Sequence, residues 1–258
     1  MTDILIAVDS RSSMGAGHVS RSIAVAEELR KREYSILWHV SDLSNFLNLL
    51  TFFRVGSEIF KEMNINRIQY SSVDTLVLDT YDVVFAEQVT QLCNPNSIIQ
   101  IVDEFSPDSI LASVRWSGSI LSEKARMRLE KNCELYSGLQ FVPLRNEVKE
   151  LREASLNSRH KRDSIIISLG TSDLALQMID KVVDVIQSST RVKNVFISHP
   201  NFQENSQSRI LKKIDPSLML TTAVKYNSLV ISGGGLTALE LLYLRLNFLV
   251  LESSPVGE

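Results

Sequence analysis

Residues 14–21 combine small side chains with a single imidazole. They follow a short apolar run, residues 4–8, which predicts a buried strand, and they lead into a segment with the apolar spacing of a helix. At the carboxyl end of such a strand, Gly15 and Gly17 would let a ligand approach the backbone, and the helix N-terminus would offer N–H groups to an anion. Because histidine is the side chain best suited to proton transfer near neutral pH, His18 is a candidate base. A histidine that only packs against the turn is the alternative.

A second glycine-rich stretch lies near the C-terminus. Gly233, Gly234 and Gly235 open a segment of helical character, whose N–H groups and dipole could hold a diphosphate without a metal. Thr237 adds a hydroxyl in the first turn. Glu240 follows about one helical turn later, where a carboxylate could accept both hydroxyls of a ribose. A tight turn followed by a surface glutamate is the alternative.

Two further groups of polar residues follow predicted strands. Gly170, Thr171 and Ser172 form a turn that could bind an anion, although capping of the next helix explains the same residues. Residues 79–81 (Asp-Thr-Tyr) and 103–104 (Asp-Glu) each end an apolar run. Acidic residues at the carboxyl ends of parallel strands often serve a site, but they also begin ordinary loops.

The sequence indicates no metal site and no cofactor. His39 lies at the end of a predicted strand, and we interpret His160 and His199 as surface residues, since none of the three has the spacing of metal ligands. Cys93 and Cys133 lie far apart and are interpreted as buried free thiols. The motifs GxGxxG and GxxxxGK[ST] are absent, so neither nicotinamide binding nor P-loop ATPase activity is predicted.

The composition excludes several classes of protein. A chain of 258 residues with 44% hydrophobic and 22% charged residues predicts one large globular domain or two small ones. The formal net charge of −3 offers no basic excess for a nucleic-acid partner. No signal peptide is visible, and no apolar run approaches the ~20 residues of a membrane span. We therefore expect a cytoplasmic enzyme or binding protein without membrane insertion, of undetermined oligomeric state.

Apolar runs alternate with helical segments along the chain, which predicts parallel sheets buried on both faces. A sharply polar stretch at residues 145–163 separates two such sets. We predict domains over residues 1–150 and 160–258, each with a glycine-rich turn after a strand, facing across a cleft. The less regular segments are predicted as strands at 110–114, 138–144 and 218–221 and a helix at 207–214.

Taken in order, these stretches resemble one family, the UDP-sugar hydrolases of pseudaminic acid biosynthesis, which are related to the MurG-type glycosyltransferases. The resemblance begins with residues 9–21 (DSRSSMGAGHVSR) and continues at 78–81 (LDTY) and 101–104 (IVDE). Three later stretches complete the ordered set, which spans nearly the whole chain: 138–145 (GLQFVPLR), 168–173 (SLGTSD) and 231–240 (ISGGGLTALE).

The resemblance implies a GT-B-like α/β fold of two Rossmann-like domains, the second binding UDP, with a C-terminal end that is shortened because no final crossing helix precedes Glu258. It implies metal-independent hydrolysis of a UDP-linked diacetamido-trideoxyhexose to free sugar and UDP. By this analogy His18 deprotonates the attacking water, Tyr81 is an active-site residue and Glu240 holds the ribose. The other residues implied to bind the substrate are Arg11, Gly15, Gly17, Gly170, Thr171, Ser172, Gly233, Gly234, Gly235 and Thr237.

Two other functions use the same residues. A MurG-like glycosyltransferase would take the same donor but an acceptor hydroxyl in place of water, and a lipid acceptor would need an exposed apolar patch, for which residues 47–54 are the candidate. A core helix is the alternative interpretation of that segment. The second possibility is a non-catalytic subunit that binds a nucleotide sugar, against which the presence of His18 counts.

Overall fold

The computed structural model describes residues 3–11, 16–55, 59, 73–157, 164–170, 173–187, 192–199, 201–204 and 210–251. Within these ranges the chain forms two parallel sheets with helices between the strands, which confirms the predicted α/β class. The chain divides into two compact units, Met1–Arg145 and Asn146–Glu258. The boundary between the two units falls at the start of the polar stretch at residues 145–163.

The first unit contains a six-stranded parallel sheet in the order β2-β1-β3-β4-β5-β6. Its strands are β1 (Asp3–Val8), β2 (Ser35–Val40), β3 (Val73–Asp79), β4 (Ser97–Ile101), β5 (Val114–Ser117) and β6 (Glu134–Ser137). Among the described residues its helices include α1 (Gly17–Lys31), α2 (Leu43–Phe52), α3 (Val83–Cys93) and α4 (Glu123–Leu129).

Strand β1 lies in the middle of this unit and buries both of its faces. Its even-numbered side chains, from Ile4 to Val8, pack with apolar residues of α1 and α2. Leu5 and Ala7 point to the opposite face and pack with Ala86 and Val89 of α3. Because successive side chains of a strand alternate between faces, a continuous apolar run is what such a doubly covered strand requires.

The neighbouring strands end together at one edge of the sheet. Val8 of β1 is in register with Val40 of β2 and with Asp79 of β3. The chain therefore leaves all three strands at the same edge, and the polar residues that follow them are neighbours there. This register positions the candidate site described below.

The second unit contains a five-stranded parallel sheet in the order β11-β10-β7-β8-β9. Its strands are β7 (Ser164–Ser168), β8 (Asn194–Ile197), β9 (Leu211–Lys213), β10 (Leu229–Ser232) and β11 (Phe248–Val250). Its helices are α5 (Asn146–Asn157), α6 (Asp173–Gln187), α7 (Met219–Tyr226) and α8 (Gly235–Tyr243).

Two predicted strands of the first unit are misplaced. The predicted strand at 110–114 is wrong except for its last residue, because Arg115 draws the backbone oxygens of Asp108 and Ile110 onto its guanidinium, at 2.8 and 2.9 Å. The predicted strand at 138–144 is also wrong. Strand β6 ends before Gly138, whose φ of +129° turns the chain into a short 3-10 helix, Leu139–Phe141.

Two predictions in the second unit also fail. The predicted strand at 218–221 is helical, since Asp215 caps a 3-10 turn, Pro216–Leu218, that continues into α7. Within the predicted helix at 207–214, the structure instead forms strand β9, and residues 207–209 lie outside the described residues.

Arg115 stabilises the first unit from inside it. This buried side chain donates from Nε to Gln100 Oε1 at 3.0 Å and from a terminal nitrogen to the backbone oxygen of Leu129 at 2.7 Å, in addition to Asp108 and Ile110. The positive charge of Arg115 is thus surrounded by the neutral oxygens of Gln100, Asp108, Ile110 and Leu129.

We expect Arg115→Met to lower the free energy of unfolding of the first unit by about 3 kcal/mol or more, because each buried acceptor left without a donor costs about 1–3 kcal/mol. Urea unfolding followed by tryptophan fluorescence measures this unit specifically, since both tryptophans, Trp38 and Trp116, lie in it. The matched control is Arg126→Met on the exposed face of α4, which should leave the midpoint unchanged. Equal effects of the two substitutions would contradict the role given to Arg115.

Candidate active site

The imidazole of His18 is held by the carboxylate of Asp79. Nδ1 of His18 lies 2.5 Å from Oδ1 of Asp79, and both side chains are buried. Burial alone would raise the pKa of the Asp79 carboxyl, but the charge of Arg21 and the contact with His18 hold this pKa at about 2. Because an ionised carboxylate only accepts hydrogen bonds, the shared proton is on Nδ1. In the neutral imidazole, Nε2 then carries the lone pair that can accept a proton.

Arg21 lies one helical turn after His18 on α1 and joins two carboxylates. Its Nε and Nη2 contact the two oxygens of Asp79, each at 2.6 Å, while Nη1 contacts Oδ2 of Asp103 at 3.2 Å. Burial opposes the charge of this guanidinium, but Asp79 and Asp103 raise the pKa of Arg21 above its usual range. Arg21 is therefore a permanent cation between two strand ends.

Tyr81 follows β3 and contacts both Asp103 and His18. Its hydroxyl donates a hydrogen bond to Oδ2 of Asp103, and its ring meets the His18 ring at 81°, with centroids 4.7 Å apart. Burial and the Asp103 carboxylate raise the pKa of the Tyr81 hydroxyl above its usual range. The phenol is therefore protonated, and its proton is directed at Asp103.

These side chains form a closed ring of contacts, which we call the His18 cluster. It comprises His18, Arg21, Asp79, Tyr81 and Asp103 and draws on α1 and the carboxyl ends of β3 and β4. The structure thus brings the two predicted catalytic residues together. The acidic residues at 79 and 103 participate in this cluster and do not merely begin loops.

Arg11, predicted to bind substrate, is paired with carboxylates beside this cluster. It contacts Asp9 at 2.5 and 2.9 Å and Asp82 at 3.1 Å, while Ser41 and Thr80 also donate to Asp9. Two carboxylates thus face one guanidinium, whose side chain is 45% exposed. Arg11 therefore brings no excess positive charge to this edge, and its contact with a substrate stays a prediction.

The glycine turn of the second unit exposes its backbone. Gly234 and Gly235 have φ angles of +90° and +60°, and the N–H of Gly233 donates to the Ser168 oxygen at 3.2 Å. This bond places the turn beside the end of β7, which leads to Gly170. Apart from the adjoining residues and the backbone of α8 itself, no described residue lies within 4 Å of where a Cβ would stand at Gly170 or Gly235. The open space and the N-terminus of α8 suit an anion.

Several other predicted binding residues can be located. Gly17 is the first residue of α1 and is exposed, and Thr237 is half-buried in the first turn of α8. Glu240 is 5% exposed one turn further on, so the alternative of a surface glutamate is wrong, and its role toward a ribose stays a prediction. Three predicted residues lie outside the described residues: Gly15, Thr171 and Ser172.

The environments of two residues, Arg21 and His199, differ from what the sequence predicts. Arg21 received no role, although it stands three positions after His18, a spacing that places two side chains on one face of a helix. His199 is fully buried and not a surface residue as predicted, and its Nδ1 accepts the N–H of Asn201 at 3.1 Å. Its position directly after an apolar strand was the available signal.

The described residues contain no group of three or more histidine, cysteine, aspartate or glutamate side chains placed to hold a metal ion. Among the described helices, none is long and apolar enough to cross a membrane.

Comparison with known proteins gives a distant relationship. No protein-family model matches the chain. It is 24% identical over 275 residues to the uncharacterized protein MJ1062 of Methanocaldococcus jannaschii, a match that covers 96% of this chain but only 55% of the relative. The chain thus spans about half the length of that protein. It is also 25% identical over 260 residues to the UDP-2,4-diacetamido-2,4,6-trideoxy-beta-L-altropyranose hydrolase of Campylobacter jejuni, covering 95% of this chain and 89% of the relative.

Among solved structures, the S. aureus MnaA–UDP co-structure matches with a TM-score of 0.59 and 11% identity. The match covers 97% of this chain and 79% of that one. At this level of identity the similarity establishes a shared fold and leaves the reaction open.

We expect Asp79→Asn to lower the free energy of unfolding of the first unit by about 3–5 kcal/mol at pH 7, because it leaves Arg21 buried without its principal partner. Since the pKa of Asp79 is depressed in the folded state, its contribution is fully present at neutral pH and is lost as the pH falls toward 2. The difference in free energy of unfolding between wild type and variant should therefore shrink by about 1 kcal/mol between pH 4 and pH 3. Tryptophan-monitored urea unfolding at pH 7, 4 and 3 measures it.

The control for this substitution is Asp74→Asn, the same change at the opposite end of β3. A gap for Asp79→Asn that does not change with pH would contradict the assignment of an ionised, buried carboxylate.

Proposed function

We propose that the protein is a metal-independent UDP-sugar hydrolase in which His18 deprotonates the attacking water. The observation that carries the proposal is the orientation of His18 by the buried, ionised Asp79, at 2.5 Å. This contact fixes the proton on Nδ1 and leaves Nε2 as the basic nitrogen. The C. jejuni relative is named as a hydrolase of a UDP-linked diacetamido-trideoxy sugar, which supports that substrate class here.

The proposed reaction is a single displacement. As the water oxygen forms a bond to the anomeric carbon, one of its protons passes to Nε2 of His18. The bond between that carbon and the diphosphate oxygen breaks, and UDP leaves with the electron pair. Asp79 stabilises the imidazolium that forms, and the free sugar retains the oxygen of the water.

The second unit would bind the UDP portion. The turn at Gly233, Gly234 and Gly235 would hold the diphosphate at the N-terminus of α8, since the open space beside Gly235 admits a ligand. The N–H groups of Gly233 and Gly234 already donate to the Ser168 oxygen and to Oγ of Ser232, so the donors to the diphosphate would be those of Gly235 and of the first turn of α8. Thr237 would add its hydroxyl, and Glu240 would hold the ribose. The remaining predicted contacts are Arg11, Gly15, Gly17, Gly170, Thr171 and Ser172. The MnaA co-structure contains UDP and shares the fold, which supports a nucleotide ligand.

A glycosyltransferase with the same donor is the second possibility. The candidate segment for a lipid acceptor, residues 47–54, gives it no support, because Leu47, Leu50 and Phe53 pack into the core around β1, as the alternative of a core helix predicts. A non-catalytic binding subunit would not need an imidazole oriented by a buried carboxylate. Both alternatives predict that UDP is bound but that no UDP is released in water alone.

We expect His18→Gln to reduce the release of UDP from a UDP-activated diacetamido sugar by at least ~100-fold, because it removes the proton acceptor. The affinity for UDP, measured by isothermal titration, should stay within about twofold of wild type. The matched control is His39→Gln in β2, which should retain full turnover. Full activity of His18→Gln would refute the proposed base, and wild-type protein that binds UDP without releasing it would favour the transferase or the binding subunit.

Gly235→Ala tests the diphosphate site separately. The new methyl group would project into the open space beside the turn, at a φ of +60° that costs an alanine roughly 1–2 kcal/mol. We expect the variant to fold with a slightly lower melting temperature and to bind UDP at least about tenfold more weakly, since a methyl group would separate the phosphate from the N–H groups. Unchanged UDP affinity in the folded variant would show that the diphosphate binds elsewhere.

A further inference from the structure

The charge of Asp79 is divided between two partners. Its Oδ1 receives the Nδ1–H of His18 at 2.5 Å and Nη2 of Arg21 at 2.6 Å, while Oδ2 receives Nε of Arg21 at 2.6 Å and the hydroxyl of Ser22 at 3.3 Å. An aspartate paired with a histidine alone favours the protonated imidazolium. A permanent cation on the same carboxylate opposes that effect.

Arg21 also acts on the imidazole directly. Its Nη2 lies 3.1 Å from Nδ1 of His18, and because Nδ1 carries a proton directed at Asp79, both atoms are donors. The guanidinium is therefore a positive charge in contact with the ring. A second positive charge on that ring is disfavoured at this distance.

Asp103 prevents the guanidinium from turning away. Asp103 follows β4, the strand next to that of Asp79, and its Oδ2 accepts a hydrogen bond from Nη1 of Arg21 at 3.2 Å. The same oxygen accepts the hydroxyl of Tyr81. The other charged pair near this edge, Asp9 with Arg11, follows β1 and is mutually compensated. Among the described residues, the charged and titratable groups in contact with His18 are Asp79, Arg21 and Tyr81, and Asp103 contacts the last two.

We propose that Arg21 is a positioning residue that orients Asp79 against His18 and places a permanent positive charge in contact with the imidazole, and that Tyr81 anchors Arg21 through Asp103. This inference rests on the proposed function, in which His18 is the base. The hydroxyl proton of Tyr81 is committed to Asp103, so Tyr81 does not protonate the leaving group.

The test compares Arg21→Met with Arg21→Lys in the full chain. We expect the acid limb of the kcat/KM profile for UDP release to move up by about one pH unit in Arg21→Met, so that activity lost at pH 6 partly returns at pH 8. Lysine keeps the charge but contacts fewer oxygens, so Arg21→Lys should keep the wild-type limb with a lower plateau. An activity loss in Arg21→Met that is equal at every pH would overturn the proposal, as would a shifted limb in Arg21→Lys.

A second measurement does not depend on turnover. NMR titration of the His18 ring, assigned with the His18→Gln variant, should show the same upward shift in Arg21→Met and none in Arg21→Lys. If the ring shifts but no UDP is released by the wild type, the proposed function fails while the role of Arg21 stands. If UDP is released but the His18 titration is the same in all forms, the role of Arg21 fails alone.

Tyr81→Phe should reduce kcat by less than about tenfold, whereas a loss of ~100-fold or more would identify Tyr81 as the proton donor.

Discussion

A buried carboxylate determines the arrangement of the first unit. Asp79 is completely shielded from solvent and still ionised, a state that costs several kcal/mol unless positive charge and hydrogen bonds surround it. Arg21 and His18 supply both from the start of α1. The requirement that these groups meet Asp79 fixes how α1 lies on the sheet, which in turn determines where the imidazole points.

The parallel sheet makes such a meeting possible. Strands β1, β3 and β4 end at the same edge, so side chains that follow them are neighbours although long stretches of chain separate them. Arg21 and Asp103 are 82 positions apart and in contact. A second ion pair, Asp9 with Arg11, lies at the same edge after β1. This edge of the sheet therefore holds two groups of paired charges.

The two units offer different chemistry to a ligand. The first presents charged and aromatic side chains, held by one another, which suits proton transfer. The second presents open space beside Gly170 and Gly235 and the N-terminus of α8, which suits an anion because backbone N–H groups neutralise charge without adding bulk.

The sequence by itself determined the α/β class, the parallel strands with continuous apolar runs, and the glycine turns, because these features depend on local periodicity and on the freedom of glycine. It also singled out His18. It could not determine where β5 begins or where β6 ends, since the buried Arg115 and the turn at Gly138 decide those limits in the folded chain. The partners of Arg21 and the burial of His199 and Glu240 were likewise decided by tertiary structure. Whether a polar residue begins a loop or enters a buried cluster depends on which distant charges the fold brings to it, and spacing along the chain does not contain that information.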